Sequence, residues 1–487
     1  QMLFNSYSFL FIFLPFFFIT TYFFREIVQK NIIFVFVILF SLIFYSYDNY
    51  KFTFLFFFSI ILNYIISKKI DITQSNNFKK LLLYMVISFN LLILGYFKYY
   101  NFFISNINSF KLEKFELINI ALPLAISFYT FQQISFQIDN FTKRKNKNFL
   151  TYFLYVSFFP QLIAGPIIRY SHFIRQVIKN NFLKINSKNL SIGLSIILIG
   201  LFKKIIFADT AGLYVDNYFT RFGGGYDIAG IDAFLFIIFF SVQIYFDFSA
   251  YCDIAVGIGK ILNFDMPINF NSPYKSKSII DFWKKWHITL SQFFRDYLYI
   301  ILGGNRNHFI MKLLLIIFVM SICGLWHGAS NNFVLWGFIH GVLISINHLL
   351  IKLNFITIKK IPYSIKIIFT FLLVSIAFIF FRVTNINDAF EIISSAFNFS
   401  NYFNNSLFIT EISNINKLVM FLSLIVIFFA PNIFQIFDLK LVNVNKIDKN
   451  KTIKFRSNIY WLLFNLILLI IIIFNLGSPS TFIYFHF

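Results

Sequence analysis

The sequence predicts an all-α, polytopic integral-membrane fold of about 11–13 membrane helices, with further re-entrant or interfacial helices. Hydrophobic residues fill 58% of the 487 positions and charged residues 13%, against about 45 to 50% and about 25% in a soluble domain. Mean hydropathy is +0.73. Runs of about 17 to 25 apolar residues, long enough to cross a bilayer as helices, recur from one end of the chain to the other. The expectation is therefore a single membrane-embedded domain over 1–487, with N-terminal helices at 2–140, a core at 141–350 and C-terminal helices at 351–487.

Spans are expected at about 3–24, 31–47, 52–66, 81–98 and 118–138. The first has neither a basic leader nor a small-residue cleavage site, so it reads as a retained helix rather than a signal peptide. Residues 150–166 are apolar but contain Pro160 and end in Gly165-Pro166, which suits a broken or re-entrant segment. Arg169, Arg175, Lys179, Lys184 and Lys188 then place 167–189 in the cytoplasmic interface. Further spans follow at about 190–207, 231–250, 309–327, 331–350, 364–381, 416–436 and 458–476. Between them, 263–308 is rich in Pro, Asn, Lys and aromatics, and short helices and turns are expected there. Polar hairpins at 382–415 and 437–457 complete the chain. No internal repeat is visible, so an inverted-repeat transporter finds no support.

The net charge of +22 lies in short loops between apolar runs, a distribution that orients helices in a bilayer and does not build a nucleic-acid-binding face. Loops 25–30, 68–80 and 139–149 carry +1, +3 and +3, whereas 48–51 and 99–118 carry zero. The positive-inside rule then puts the N-terminus outside. Cys252 and Cys323 are too far apart, and too few, for a metal site or a disulfide framework.

Chemistry concentrates in 282–341, which holds His287, His308, His327 and His340. An ionisable group at membrane depth is costly and calls for a reason. On one helix over 281–297, Trp283, Trp286, His287, Leu290 and Phe294 would share a stripe. In GLWHGASNN, Gly324 and Gly328 flank His327 at a spacing that lets a backbone or a slender substrate approach, with Trp326 alongside. Each histidine also has a bland reading as a hydrogen-bonded packing residue, and for His340, between Gly337 and Gly341, that reading is preferred. Cys323, four residues before His327, reads as a buried thiol. In YFDFSAYCD, Asp247 and Asp253 bracket Ser249 and need cationic or backbone partners, for which Arg169, Lys275 and Arg295 are candidates in a structural role. No glycine-rich nucleotide loop, HExxH or GxSxG occurs, so kinase, zincin and hydrolase readings lack support.

Six ordered stretches carry a resemblance: MLFNSYSFLFIFLP, FFPQLIAGPIIRY, YFDFSAYCDIAVGIGKILNFDMPINFNSPY, DFWKKWHITLSQFFRDYLYIILGGNR, GLWHGA and FIYFHF. Together they resemble the membrane-bound O-acyltransferase family, within it the alginate and peptidoglycan O-acetyltransferase membrane subunits. Residues 382–457 carry no such motif. The resemblance implies a ring of helices around a central tunnel, with His327 and His287 catalytic. Trp326, Trp286, Trp283, Gly328, Asp247, Ser249 and Arg295 would line or support the tunnel. It implies no metal, no bound cofactor, and an acyl thioester such as acetyl-coenzyme A as donor. Hydroxyls of an exported polysaccharide or cell-wall glycan would be the acceptor, an SGNH-type acetyltransferase the partner, and the bacterial cytoplasmic (inner) membrane the location, with lipid around the protein. Acyl transfer from a thioester needs a base for the incoming hydroxyl, and an imidazole suits that task. Two other readings stay open: a non-catalytic transporter or channel with the histidines as proton relays, and a family member acting on a lipid, a protein or teichoic acid.

Overall fold

The structure, a computed structural model, describes residues 2–483 except 48, 111–113, 143–146, 164, 180, 227, 355–360, 401, 405, 446–452, 478–479 and 481. Lys143, Arg144 and Lys145 of the third basic loop, and the end of the closing FIYFHF motif, lie outside the described residues. Among the described residues the regular elements are all helical, and eight helices are long and apolar enough to cross a membrane. Three shorter apolar helices accompany them. Large apolar side chains such as Phe16, Phe54, Leu92 and Phe474 stay exposed, as hydrocarbon rather than water demands.

The chain divides into two compact units. The first comprises Gln1–Ile197, Ala255–Pro267 and Leu441–Asn443. It holds α1 (Ser8–Ile27), α2 (Lys30–Ser46), α3 (Tyr50–Ile72), α4 (Asn76–Asn108), α5 (Ile126–Thr142) and α6 (Phe149–Ser157). Asn49 and Ser75 start α3 and α4 by accepting the amides of Lys51 and Phe78, which would otherwise lack partners. The span expected at 118–138 begins instead at Ile126: Pro123 disfavours helix at Leu122, and Ala125 sits at φ 58°. The break expected within 150–166 occurs at Phe158, between α6 and a short helix at Phe159–Leu162 that contains Pro160.

Polar residues recur every fourth position on α3 as Ser59, Asn63, Ser67 and Asp71, and so share one face. That face meets Gln133, Gln137 and Asn140 of α5 in a buried amide seam. Asn63 and Asn90 of α4 exchange amide hydrogen bonds of 3.1 and 2.9 Å, and Gln137 Nε2 donates to Asn63 Oδ1 at 3.1 Å. Gln133 Nε2 donates to Ser59 Oγ at 2.9 Å, and the buried Lys147 closes the row on Asp71 at 3.0 Å.

The second unit comprises Leu198–Ile254, Ile268–Lys440 and Val444–Phe487. It takes the later part of α7 (Ser187–Gly223) and most of α8 (Gly230–Ile261). Then come α9 (Ile279–Trp283), α10 (Ile288–Phe294), α11 (Phe309–His327), α12 (Asn331–Lys352), α13 (Tyr363–Arg382), α14 (Asn414–Phe429) and α15 (Ile459–Asn475). α11 and α12 pack along their length because glycines remove the side chains between them. A Cβ on Gly324 would lie 2.1 Å from the Phe333 carbonyl oxygen, and one on Gly337 2.2 Å from that of Met320. Asp232, at the start of α8, gathers the loop before α14 by accepting the amides of Leu407 and Phe408 and the hydroxyls of Ser406 and Tyr214.

Candidate active site

The chemistry-bearing stretch is not one helix over 281–297. α9 ends at Trp283, and α10 begins after His287, whose backbone takes the left-handed conformation at φ 39°. A non-glycine residue there is uncommon, and such positions cluster at functional sites. The break redirects the imidazole but keeps the expected apolar set inside: Trp283, Trp286, His287, Leu290 and Phe294 are all buried.

Asn269, on the approach strand of irregular chain before α9, fixes His287. Its Oδ1 accepts from the Thr289 amide and hydroxyl at 3.2 and 2.9 Å, and its Nδ2 donates to Cys252 Sγ at 3.3 Å. With Oδ1 committed as an acceptor, the 3.2 Å contact to His287 is a hydrogen bond donated by Nδ1–H. The neutral ring then carries its lone pair on Nε2. Burial keeps it neutral by pushing the imidazole pKa down to about 3.

His327 ends α11, where Gly328 turns the chain extended. Its ring lies 6.3 Å from that of His287, 4.9 Å from Trp326, and 5.2 Å from both Trp336 and Phe381. Trp336, which the sequence did not single out, also packs on His340 at 4.8 Å. Trp283 Nε1 donates to His340 Nδ1 at 3.2 Å. Trp286 completes the wall against Phe270 and Phe378. Sequence reasoning thus placed His287, His327, Trp283, Trp286 and Trp326 together, and the structure adds His340, Trp336 and Asn269. The room expected beside His327 is filled: a Cβ on Gly328 would fall 2.1 Å from the Phe333 ring, so these glycines serve helix packing rather than substrate approach.

The carboxylates of α8 find other partners than expected. Within α7 the backbone widens to π-helical over Lys203–Ala208, a distortion frequent at functional sites. There the adjacent lysines both reach α8. Lys203 pairs with Asp253 at 2.7 Å; Lys204 pairs with Asp247 at 2.5 Å and with Asp209 at 3.0 Å. Arg169, Lys275 and Arg295 are not these partners. Lys275 Nζ donates to the Ala430 carbonyl at 2.6 Å, and the exposed Arg295 pairs with its neighbour Asp296. The C-terminal tail docks on the same ion cluster. The Ile483 amide donates to Asp247 at 2.8 Å, Ser480 Oγ to Asp209 at 2.8 Å, and the buried Phe482 ring meets Tyr251 edge-on. Ser249 lines a cavity of about 290 Å³ with Lys203, Tyr245, Asp253, Phe270 and Asn432. Phe270 also touches the rings of Trp286 and His287, so one aromatic layer separates this cavity from the histidines. Among the described residues, no group of three or more His, Cys, Asp or Glu side chains gathers as a metal ion would require.

Paired buried imidazoles, one of them held in a defined tautomer and both walled by indoles and phenyl rings, can move a proton while excluding water. Comparison with known proteins gives that chemistry a family. Residues 18–387 match the model of the membrane-bound O-acyltransferase family. The chain is 39% identical over 424 residues to the peptidoglycan O-acetyltransferase of Helicobacter pylori, covering 80% of this chain and 79% of that one. It is 34% identical over 436 residues to the probable alginate O-acetylase AlgI of Azotobacter vinelandii, covering 88% and 84%. A more distant likeness, 28% over 247 residues, covers 48% of this chain and 61% of the teichoic acid D-alanyltransferase of Bacillus subtilis. The chain belongs to the membrane-bound O-acyltransferase family.

Proposed function

We propose that this multi-pass membrane protein is an O-acetyltransferase that takes an acetyl group from a cytosolic thioester, acetyl-coenzyme A, and passes it to hydroxyls of an exported polysaccharide or of peptidoglycan. The observation that carries the reading is the buried pairing of His327 with His287, rings 6.3 Å apart, in a chain whose similar relatives are peptidoglycan and alginate O-acetylating proteins. His327 is the general base for the attacking hydroxyl. His287, its Nε2 lone pair set by Asn269, orients or relays the proton.

The same reading places the protein in the bacterial inner membrane with its N-terminus outside and an SGNH-type acetyltransferase as extracytoplasmic partner. The loop charges support that orientation. Lys277, Lys284, Arg295 and Arg306 are exposed around the broken segment and would attract the anionic donor. Lys275 is tied to Ala430, and burial beside Lys285 lowers its pKa, so it is not counted among them.

Reconstituted vesicles of known sidedness test the proposal. Acetyl-coenzyme A at the cytoplasmic face should be consumed, and His327→Ala should slow transfer about 10³-fold or more while the protein stays monodisperse. Unchanged transfer in that variant would remove His327 from the chemistry. A wild type that conducts solutes but releases no thiol would favour the transporter reading.

A further inference from the structure

In the cluster around His327, two hydrogen-bond donors have no partner among the described residues. Indole nitrogen is a donor only, and Trp336 Nε1, in a residue 1% exposed, has no hydrogen-bond partner among the described residues. His340 is fully buried, and its Nδ1 is occupied as the acceptor of the Trp283 N–H. An imidazole that accepts at Nδ1 carries its proton on Nε2, and His340 Nε2 also has no partner among the described residues. A buried N–H left unmatched is rare and costly, and each instance calls for an explanation.

The two donors are not scattered. Positions 336 and 340 are one helical turn apart on one face of α12, and the Trp336 ring packs edge-on against both His340 and His327. The face is held rigidly, because Gly337 between them seats α12 against the Met320 backbone of α11. His287 presents a lone pair at Nε2, whereas His340 is locked in the opposite tautomer and presents a proton. His287 packs on the His327 ring directly, and His340 packs on the Trp336 ring that in turn packs on His327, so an acceptor and a donor imidazole both belong to this cluster.

We infer that Trp336 Nε1–H and His340 Nε2–H form the site for the carbonyl oxygen of the acyl group. This rests on the acyl-transfer reading and assigns it two further catalytic residues. As the acceptor hydroxyl attacks the thioester carbon, its proton passes to His327 and the C=O π pair moves onto oxygen, where the two N–H groups stabilise the charge. Re-formation of C=O then breaks the C–S bond, and the thiolate takes the proton from the imidazolium. One hydroxyl and one thioester give one ester and one thiol. Donors fixed before the reaction stabilise developing charge without reorganisation, and loss of one costs about 10²- to 10³-fold in kcat.

Trp336→Phe removes the N–H and keeps an aromatic ring at the position. We expect its kcat for thiol release from acetyl-coenzyme A to fall about 10²-fold with KM nearly unchanged. His340→Phe should act in the same direction. The deciding measurement replaces the carbonyl oxygen with sulfur, a weak acceptor, in dithioacetyl-coenzyme A. Wild type should slow on that donor, and Trp336→Phe should lose little more, because the contact is already gone. A penalty equally large on both donors would mean that the N–H groups hold water or only pack, and would overturn the assignment. So would a Trp336→Phe enzyme with full kcat. If wild type released no thiol from either donor, and His327→Ala changed nothing, the acyl-transfer reading itself would fall and take this site with it.

Discussion

In the first unit, Asn63, Asn90, Gln133, Gln137, Asn140 and Lys147 all spend side-chain N–H groups on named partners inside the seam between α3, α4 and α5. What is left over there is oxygen: Gln137 Oε1 and Asn140 Oδ1. In the second unit the cluster around His327 leaves nitrogen over, at Trp336 and His340. Both regions bury polar atoms among phenyl and aliphatic side chains at membrane-helix depth. A spare carbonyl lone pair costs little, whereas a spare N–H is seldom tolerated. The seam is regular, and its side-chain N–H groups are all matched. The site is irregular, sits at a left-handed residue and, among the described residues, lacks acceptors for two of its N–H groups. Matched donors mark glue; unmatched donors mark a place where something else binds.

That distinction can be broken first at the ion cluster, which belongs to the second unit yet is fully partnered. Lys204→Met would strand the buried Asp247, leave the partly exposed Asp209 without its cation, and should cost about 3–5 kcal/mol of stability. Adding Asp247→Leu should restore much of it, read as thermal denaturation in detergent. If Lys204→Met instead left stability intact and halted transfer, complete pairing would not identify structural residues here.

A smaller effect is expected at Asn269. Asn269→Ala frees His287 to adopt either tautomer and should lower kcat about 10- to 100-fold, the cost typical of losing a group that orients a metal-bound imidazole. The melting temperature should move little. An enzyme with full kcat would show that the His287 tautomer is immaterial.

The smallest effect belongs to the seam. Asn90→Leu should cost about 0.6–1.7 kcal/mol, the range for a hydrogen bond between membrane helices, with kcat per folded molecule unchanged. Asn63→Leu/Asn90→Leu should cost less than the two single changes added together, because neither amide is then left unmatched. A seam variant that altered kcat would make the seam part of the catalytic machinery.

Much of the site was legible because histidine is conspicuous in apolar sequence, and the aromatics spaced around His287 remain buried despite the broken helix. The break itself was not legible, since 281–297 satisfies helical periodicity throughout and the left-handed turn at His287 goes with side-chain and backbone hydrogen bonds to Asn269. Asn269 lies in irregular chain 18 residues earlier and belongs to no periodic pattern. Lys203 and Lys204 were missed as partners of the α8 carboxylates for a geometric reason. Adjacent residues on an α-helix point about 100° apart, and only the wider π turn lets both reach one neighbouring helix. The seam, by contrast, was available: the four-residue spacing of Ser59, Asn63, Ser67 and Asp71 is a polar stripe in plain view. His340 carried no signal that separated it from a packing histidine, because its tautomer depends on Trp283, 57 positions away.

The pairing of Lys203 and Lys204 with Asp253 and Asp247 also bears on how the chain is made. A charged residue at the centre of a helix entering the bilayer alone costs about 2.5–3.5 kcal/mol, and α7 and α8 carry two apiece at these positions. Inserted one after the other, each helix would meet that cost twice over. Inserted as a hairpin, with the lysines already facing the aspartates, they enter as a nearly neutral unit. The link between them, 224–229, is only six residues long and contains Gly224 and Gly225, which suits a hairpin. Ser480 and Ile483, far later in the chain, then add hydrogen bonds to Asp209 and Asp247 without changing the charge balance, so the lysine–aspartate pairs alone account for the neutrality of the hairpin.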